Sequence, residues 1–139
     1  SPMFDTPGGD SQAGAVLAFQ RKMSETLIDF GEPLLNALPD PTPIDQLQAT
    51  VGMIVTVWNA LVLASPAWQQ PEHIERLRTL AASGYLPGPM KDALESLTRR
   101  RSERFGADVR AVADWTLEAD GSGGYRFRCD ARIPDSHFA

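Results

Sequence analysis

The chain has 139 residues, 42% of them hydrophobic and 22% charged, which is the balance of one globular domain large enough to bury a core. A formal net charge of −5 argues against general nucleic-acid binding, because attraction to phosphate supplies most of the sequence-independent affinity. A single cysteine, Cys129, excludes an intrachain disulfide and any zinc site built from several thiolates.

The N-terminal segment divides into a loose arm and a helix. Residues 1–12 are mostly Gly, Pro, Ser and Asp, which predicts a flexible arm, and Ser1-Pro2 before Met3 looks like a cloning remnant. No signal-like hydrophobic segment is seen there, so a reducing cytoplasm is the expected location. A helix is predicted over 11–30, ended by Gly31, because apolar residues recur at spacings of three and four: Val16, Phe19, Met23, Leu27 and Phe30.

The longest apolar stretch, 43–64, lies in the middle of the chain and organises the predicted fold. Pro43 at the first helical position and Asp45 in the first turn are helix-start signals. The helix is apolar nearly all round, and its apolar run of about 14 residues is shorter than the roughly 20 that a membrane span needs. We therefore predict a buried core helix without membrane contact, whose main face carries Ile44, Leu47, Val51, Ile54, Val55, Trp58, Leu61 and Val62.

Trp58 and Asn59 are the unusual pair inside this helix. A buried amide costs free energy unless it is hydrogen-bonded, and a buried indole N–H also needs an acceptor. One interpretation is packing, with Asn59 bonded to a loop carbonyl. The other is that the pair lines a pocket or a partner groove. Trp68, expected to close over the core from the next loop, and Trp115 near the C-terminus belong to the same set of candidates.

Two more helices are predicted, over 71–83 and 89–105, and Pro87-Gly88-Pro89 separates them. Glu72 and Arg76 have the spacing of an i,i+4 ion pair. The last turns of the second of these helices are strongly basic. In the first, the residues expected to face inward are Ile74, Leu77 and Leu80 or Ala81.

The C-terminal fifth changes to a period of two, which is typical of β-strands. Apolar and polar residues alternate over 109–118 and over 125–133, and a Gly-rich turn joins the two runs. They predict an antiparallel hairpin whose apolar face covers the helices or another chain, since a lone hairpin is marginal in water. The expected cross-strand pairs are Leu117 with Tyr125, Trp115 with Phe127 and Asp114 with Arg128.

Arginines gather in the last third of the sequence, where residues 99–132 hold eight arginines and six acids. Guanidinium groups bind carboxylate and phosphate with two parallel hydrogen bonds, so these residues are candidates for a partner or anion site. There are two structural alternatives: cations stabilise a helix C-terminus, and Asp114, Glu118 and Asp130 neutralise the strand arginines across the sheet. Arg110 is also expected on the polar face of the hairpin. The candidate site comprises Arg99, Arg100, Arg101, Arg104, Arg126, Arg128 and Arg132.

The sequence shows no catalytic, metal or nucleotide-binding motif. His73 and His137 lie far apart, and no residues have metal-ligand spacing, so neither a metal nor a cofactor is expected. The glycines of 121–124 join strand to strand, without the helix start that would hold a phosphate. Cys129 alternates onto the apolar face of its strand and is interpreted as a packed thiol rather than a nucleophile. We therefore expect no enzymatic activity.

Together these patterns predict a mainly helical (α+β) fold, a bundle of about four helices around the central apolar helix with a C-terminal antiparallel hairpin. Residues 13–133 form one domain and 134–139 a frayed tail. The favoured function is a non-enzymatic interaction module, such as an accessory subunit, an adaptor or an antitoxin- or immunity-type protein. It would bind a protein partner or itself through the hairpin and the basic helix end. A homodimer is expected because the hairpin leaves a strand edge unpaired. The alternatives are nucleic-acid binding by the arginines and small-molecule binding beside Trp58 and Asn59.

Overall fold

The computed structural model describes residues 22–84 and 88–134, which form five helices and one hairpin. The predicted mainly helical fold with a C-terminal hairpin is confirmed. The predicted N-terminal arm, the start of the first helix and residues 135–139 lie outside the described residues. The elements in chain order are α1 (Met23–Phe30), α2 (Glu32–Asn36), α3 (Ile44–Leu63), α4 (Glu72–Ala82), α5 (Gly88–Arg104), β1 (Ala111–Ala119) and β2 (Tyr125–Arg132).

Helix α3 is the axis of the core, as its apolar sequence predicts. Leu47, Trp58 and Val62 are fully buried. The Trp58 ring packs edge-on against Phe30 of α1, with 5.1 Å between ring centroids, and against Phe105 after α5, with 5.8 Å. Such aromatic pairs add about 1 kcal/mol each beyond their buried area. By length and composition alone α3 could cross a membrane, but its contacts with α1, α4, α5 and β1 are those of a core helix.

Helix α3 meets different neighbours on its opposite faces, because successive residues are rotated by about 100° around the axis. Gln48, Gly52 and Asn59 share the face that meets β1. Val57 and Leu61 lie on the opposite face, where they meet α4 and α5. The hairpin and the α4–α5 pair are therefore on opposite sides of α3.

The start of α3 differs slightly from the prediction. The helix begins at Ile44, so Pro43 occupies the cap position rather than the first helical position. Its φ of −60° and ψ of 145° are extended values that lead the chain into the helix. Proline suits this position because it has no N–H that would need an acceptor.

Helix α1 turns directly into α2 at Gly31, which is packed against α3. A Cβ at Gly31 would lie 2.3 Å from Cδ1 of Ile54 and within 3 Å of two further atoms of that side chain. The φ of Gly31 is −87°, a conformation that any residue adopts. Gly31 ends the first helix as predicted, and the space available beside Ile54 is what requires a glycine.

Helix α4 lies on the surface and has no fully buried side chain. Ile74, Leu77 and Ala81 are half-buried, whereas Leu80 is 43% exposed. Of the two predicted alternatives, Leu80 and Ala81, it is therefore Ala81 that faces inward. Because α4 is held only by half-buried side chains, part of its apolar surface remains accessible to solvent or to a partner.

The charges of α4 pair differently from the prediction. Arg78 Nη1 lies 3.0 Å from Glu75 Oε1, and within the described chain no ion pair joins Glu72 to Arg76. Both side chains of the observed pair are mostly exposed, so it adds only about 0.3 kcal/mol. Gly84, with φ of +83°, follows the end of α4 in the left-handed conformation that glycine tolerates best.

The predicted hairpin is confirmed, but its predicted register is wrong by two residues. Leu117 lies opposite Phe127, and Trp115 lies opposite Cys129. Because the shift is even, the predicted residues still face the core, where Leu117 and Phe127 are buried. The five residues of the turn, 120–124, place Ala119 rather than Leu117 opposite Tyr125.

Asp120 fixes this turn. Its Oδ1 accepts hydrogen bonds from the N–H groups of Ser122 and Gly124, at 2.8 Å and 3.1 Å, and from the Ser122 hydroxyl at 2.7 Å. These bonds, that of the Ser122 hydroxyl first, lower the pKa of Asp120. Gly121 and Gly123 have φ of +84° and +93°. The last strand pair therefore joins the residue before Asp120 to the residue after Gly124.

A bulge in β1 changes which side chains face the core. The pairing skips one residue between Val112 and Asp114. Val112 is consequently on the same face as Trp115 and Leu117 and is buried, and Ala111 is buried as well. The strict alternation predicted over 109–118 holds only from Asp114 onward, because a bulge shifts the register by one residue on its own strand.

Candidate interaction site

A groove of about 530 Å³ opens between α3, α4 and α5. Its floor is apolar and comes from α3, and both flanking helices add apolar walls below a charged rim. An apolar trough of this kind matches the stripe that an amphipathic helix presents. The apolar lining consists of Val57, Leu61, Ile74, Leu77, Ala81 and Leu94, and Thr98 and Ser102 lie among the polar residues.

Helix α5 carries four charges of alternating sign along this groove, which we term the charge row: Lys91, Glu95, Arg99 and Glu103. They are four residues apart and so form one ridge on the helix surface. Within the described residues none of the four is in an ion pair, although Glu95 and Arg99 have the favourable spacing. The charge row is therefore available to charged groups outside the fold.

The seven candidate arginines do not form one surface. Arg99 belongs to the charge row, whereas Arg126 and Arg128 lie on the exposed face of the hairpin, across α3 from the groove. The Arg132 guanidinium lies 5.5 Å from the centre of the Trp68 ring. The positive charges are thus divided between opposite sides of the molecule.

Arg100 and Arg104 are held near the end of α1 by Asp29. Arg100 donates to the carbonyls of Phe30 and Asp29, at 3.1 Å and 2.5 Å, and its Nη2 lies 3.5 Å from Asp29 Oδ1. Arg104 Nη2 is 3.8 Å from the same carboxylate oxygen. The last carbonyls of a helix need donors from outside it, and Arg100 supplies them to α1.

Arg101 lies in the core, with only 7% of its surface exposed. Its guanidinium stands 4.7 Å from the centre of the Trp58 ring, and its Nη2 donates to the Asp108 carbonyl. Nε and Nη1 are buried without a hydrogen-bond partner among the described residues. Burial lowers the pKa of Arg101, and the nearby Asp108 carboxylate opposes that shift. Of the seven candidates, Arg101 is the one that no partner can reach.

We expect Arg101→Met to leave the free energy of unfolding within about 1 kcal/mol of the parent protein or above it, because it removes two unsatisfied buried donors and keeps an apolar chain over Trp58. Arg101→Ala, which leaves a cavity there, should cost about 3 kcal/mol. Urea unfolding followed by tryptophan fluorescence measures both variants. A methionine variant as unstable as the alanine variant would show that the cation–π contact outweighs the desolvation of the guanidinium.

The exposed face of the hairpin is not basic, since it carries Arg126 and Arg128 together with Asp114, Glu118 and Asp130. Arg128 lies opposite Thr116 rather than opposite Asp114, and Asp114 faces Asp130. In the part of the chain that the structure describes, no ion pair joins these side chains. Of the predicted neutralising acids, Glu118 lies directly opposite Arg126 without forming an ion pair, whereas Asp114 and Asp130 face each other.

Arg110, expected on this polar face, instead turns inward. Its Nε and Nη2 donate to the two carboxylate oxygens of Asp108, at 3.0 Å and 2.6 Å, and Nη2 also donates to the Thr26 hydroxyl at 3.2 Å. Asp108 is buried, and the bidentate contact with Arg110 neutralises its charge inside the fold. The bulge explains the error. It lies between Arg110 and the residues that alternate regularly from Asp114 onward, so Arg110 is on the face opposite to the predicted one.

Two polar side chains of α3 occupy the outer edge of β1. Asn59 Nδ2 donates to the Val112 carbonyl at 3.1 Å, and its Oδ1 accepts from the Val112 N–H at 2.7 Å. Gln48 Nε2 donates to the Leu117 carbonyl at 3.2 Å. A neighbouring strand would use the same backbone groups, so α3 protects this edge from pairing with another chain.

Two indoles hold the segment that leads into β1. Trp58 Nε1 donates to the Arg110 carbonyl at 2.8 Å, and Trp68 Nε1 donates to the Val109 carbonyl at 2.7 Å. The fourth candidate, Trp115, is half-buried on α3 beside Gly52. The structure thus gives all four a packing role, and none lines the groove: Trp58, Asn59, Trp68 and Trp115.

Cys129 is half-buried, and burial first, with the Asp130 charge second, raises the pKa of its thiol to about 12. The reactive thiolate is therefore disfavoured at neutral pH. Among residues 22–84 and 88–134, no three His, Cys, Asp or Glu side chains are grouped as a metal site requires. Comparison with known proteins finds no matching family model, no matching curated protein and no matching solved structure.

The groove is the feature that reasoning from sequence missed. The apolar residues of α4 are predicted to face inward, and the arginine site predicted at the end of α5 does not include Lys91, Glu95 or Glu103. The signal was nevertheless present, because the charge row repeats with a period of four along α5. A regular alternation of sign on one face is found on solvent-exposed helices and on both sides of the seam in coiled coils.

Proposed function

We propose that the chain is a non-enzymatic protein-interaction module that receives an amphipathic helix of a protein partner in the groove between α3, α4 and α5. The observation that carries this proposal is the groove itself, with its apolar floor at Val57 and Leu61 and an unpaired charge row on its rim. Helix-in-groove recognition needs such a trough for the apolar stripe and charges beside it for orientation. An accessory subunit, an adaptor or a neutralising protein would use such a surface.

The groove supports this role better than the hairpin does. Asn59 and Gln48 already bond the outer edge of β1, so a partner strand would have to displace them. The hairpin face mixes five charges without an apolar patch, whereas buried apolar contacts supply most of the affinity of an interface. A reducing, cytoplasmic setting fits the single cysteine, whose thiol has a raised pKa.

Site-specific photo-crosslinking tests the proposal. A photoreactive residue replaces Thr98, which lies in the groove, or Thr116, which lies on the exposed face of β1 and serves as the matched control. Irradiation in extracts of the native host should yield a protein adduct at position 98 and much less at 116. Ala81→Glu, which inserts a carboxylate into the apolar groove, should reduce that adduct by about tenfold.

The class of adduct separates the candidate functions. A protein adduct at position 98 that disappears with Ala81→Glu supports the proposal. An adduct at 116 alone, or an adduct with nucleic acid at either position, contradicts it and favours the hairpin or the arginines. Circular dichroism of each variant checks that the helices remain folded.

A further inference from the structure

The groove face differs in charge from the rest of the chain. Its lining holds three cationic and two anionic side chains, whereas the whole chain carries a net charge of −5: Arg78, Lys91, Arg99, Glu95 and Glu103. Two copies of an acidic chain repel one another over most of their surfaces. They meet most favourably where that repulsion is absent and apolar area is available, and this face offers both.

The charge row is also complementary to itself under two-fold symmetry. Helix α5 laid antiparallel to a second copy of itself, with the axis at the level of Leu97, brings Lys91 opposite Glu103 and Glu95 opposite Arg99. Each contact occurs twice, so the four residues of one copy meet four opposite charges in the other. A row of one sign, or a parallel arrangement of the helices, would place like charges together. Isologous dimers require this self-complementarity.

The spacing of the row suits helix–helix packing. Residues four apart form the ridges that interdigitate in the commonest class of helix crossing, at about 50°. From Lys91 to Glu103 the row is about 18 Å long at 1.5 Å per residue, which is long enough for a contact between two packed helices. Leu94 lies beside the row in the groove, so apolar side chains would be buried next to the ion pairs.

We propose that the occupant of the groove face is a second copy of this chain, which forms a two-fold dimer through antiparallel α5 helices. This inference rests on the proposed function and names its partner. The dimer contact lies across α3 from the hairpin, so it differs from the strand-edge dimer that the sequence led us to expect. The ion pairs of the charge row set the orientation and register, and the apolar groove supplies the burial.

Charge reversal within the row tests the dimer. Glu95→Lys and Arg99→Glu each place like charges at two symmetric contacts, so each variant alone should dimerise at least about tenfold more weakly than the parent. An equimolar mixture of the two should recover association, because lysine at 95 then meets glutamate at 99 and arginine at 99 meets glutamate at 95. Analytical ultracentrifugation of the purified proteins, from about 1 µM to about 1 mM, measures the dissociation constants.

Glu118→Lys on the exposed face of the hairpin is the matched control and should dimerise as the parent does. A parent that stays monomeric over the whole range, or a Glu95→Lys variant that dimerises as well as the parent, overturns the inference. Recovery in the mixture cannot come from misfolding of either variant. If the purified chain is monomeric while position 98 still crosslinks another protein in extracts, the dimer is refuted and the proposed function stands.

Discussion

Gly31→Ala is expected to lower the free energy of unfolding by about 3 kcal/mol, because overpacking of a tight core position costs this much. The new methyl group would lie 2.3 Å from Cδ1 of Ile54, which is itself only 2% exposed and cannot move aside. The backbone of Gly31 is not strained, so the whole effect comes from the contact between the α1–α2 turn and α3. Chemical unfolding followed by circular dichroism measures the loss.

A second glycine provides the matched control. A Cβ at Gly52, in the middle of α3, would lie 3.5 Å from Cζ2 of Trp115, an ordinary contact. Gly52→Ala should therefore stabilise the protein by up to about 1 kcal/mol through its helix propensity. Combining Gly31→Ala with Ile54→Ala should cost about 2 kcal/mol less than the sum of the single effects, since the added methyl group then fills space that the isoleucine has left. Strict additivity would show that the two positions do not touch.

Asn59→Asp is expected to destabilise the protein by about 3 kcal/mol at neutral pH, although the two side chains have the same shape. The new carboxylate can still accept the Val112 N–H, but it cannot donate to the Val112 carbonyl and would face that oxygen with a negative charge. Protonation at lower pH restores a donor, so the loss should shrink as the pH falls towards 4. Unfolding curves at several pH values measure this recovery.

Asn36→Asp, on an exposed residue of α2, is the control for the change of charge and should stay within about 0.5 kcal/mol of the parent. Hydrogen exchange at Val112 should also quicken in Asn59→Asp, because repulsion between the carboxylate and the Val112 carbonyl would weaken the contact that holds its N–H. An Asn59→Asp variant as stable as the parent at neutral pH would mean that α3 does not hold the edge of β1.

The parts of the fold that follow from local patterns could be predicted from the sequence. The apolar stretch of α3 and the change to period two at the hairpin each report a burial preference of consecutive residues, and both are confirmed. The hairpin register and the inward turn of Arg110 depend on a five-residue turn and a one-residue bulge. Periodicity does not reveal features that small.

The candidate site was harder to predict for a physical reason. Arg101 stands next to Arg100 in the sequence, and only the position of Trp58 and Asp108 in space decides that one is buried while the other binds α1. The groove likewise exists because α4 remains half-buried, which its apolar residues alone do not indicate. Contacts between distant segments decide both features, and a single sequence does not report them.

Methyl NMR of the purified protein tests the central claim most directly, namely that the groove face, and not the hairpin, is the surface through which the chain associates. As the protein concentration rises, the methyl signals of Leu77 and Leu94 in the groove should shift together, whereas those of Ala131 and Ile133 on the hairpin side should stay fixed. Shifts confined to the signals of Ala131 and Ile133, with those of Leu77 and Leu94 unchanged, would contradict the account and show that the chain associates through the hairpin.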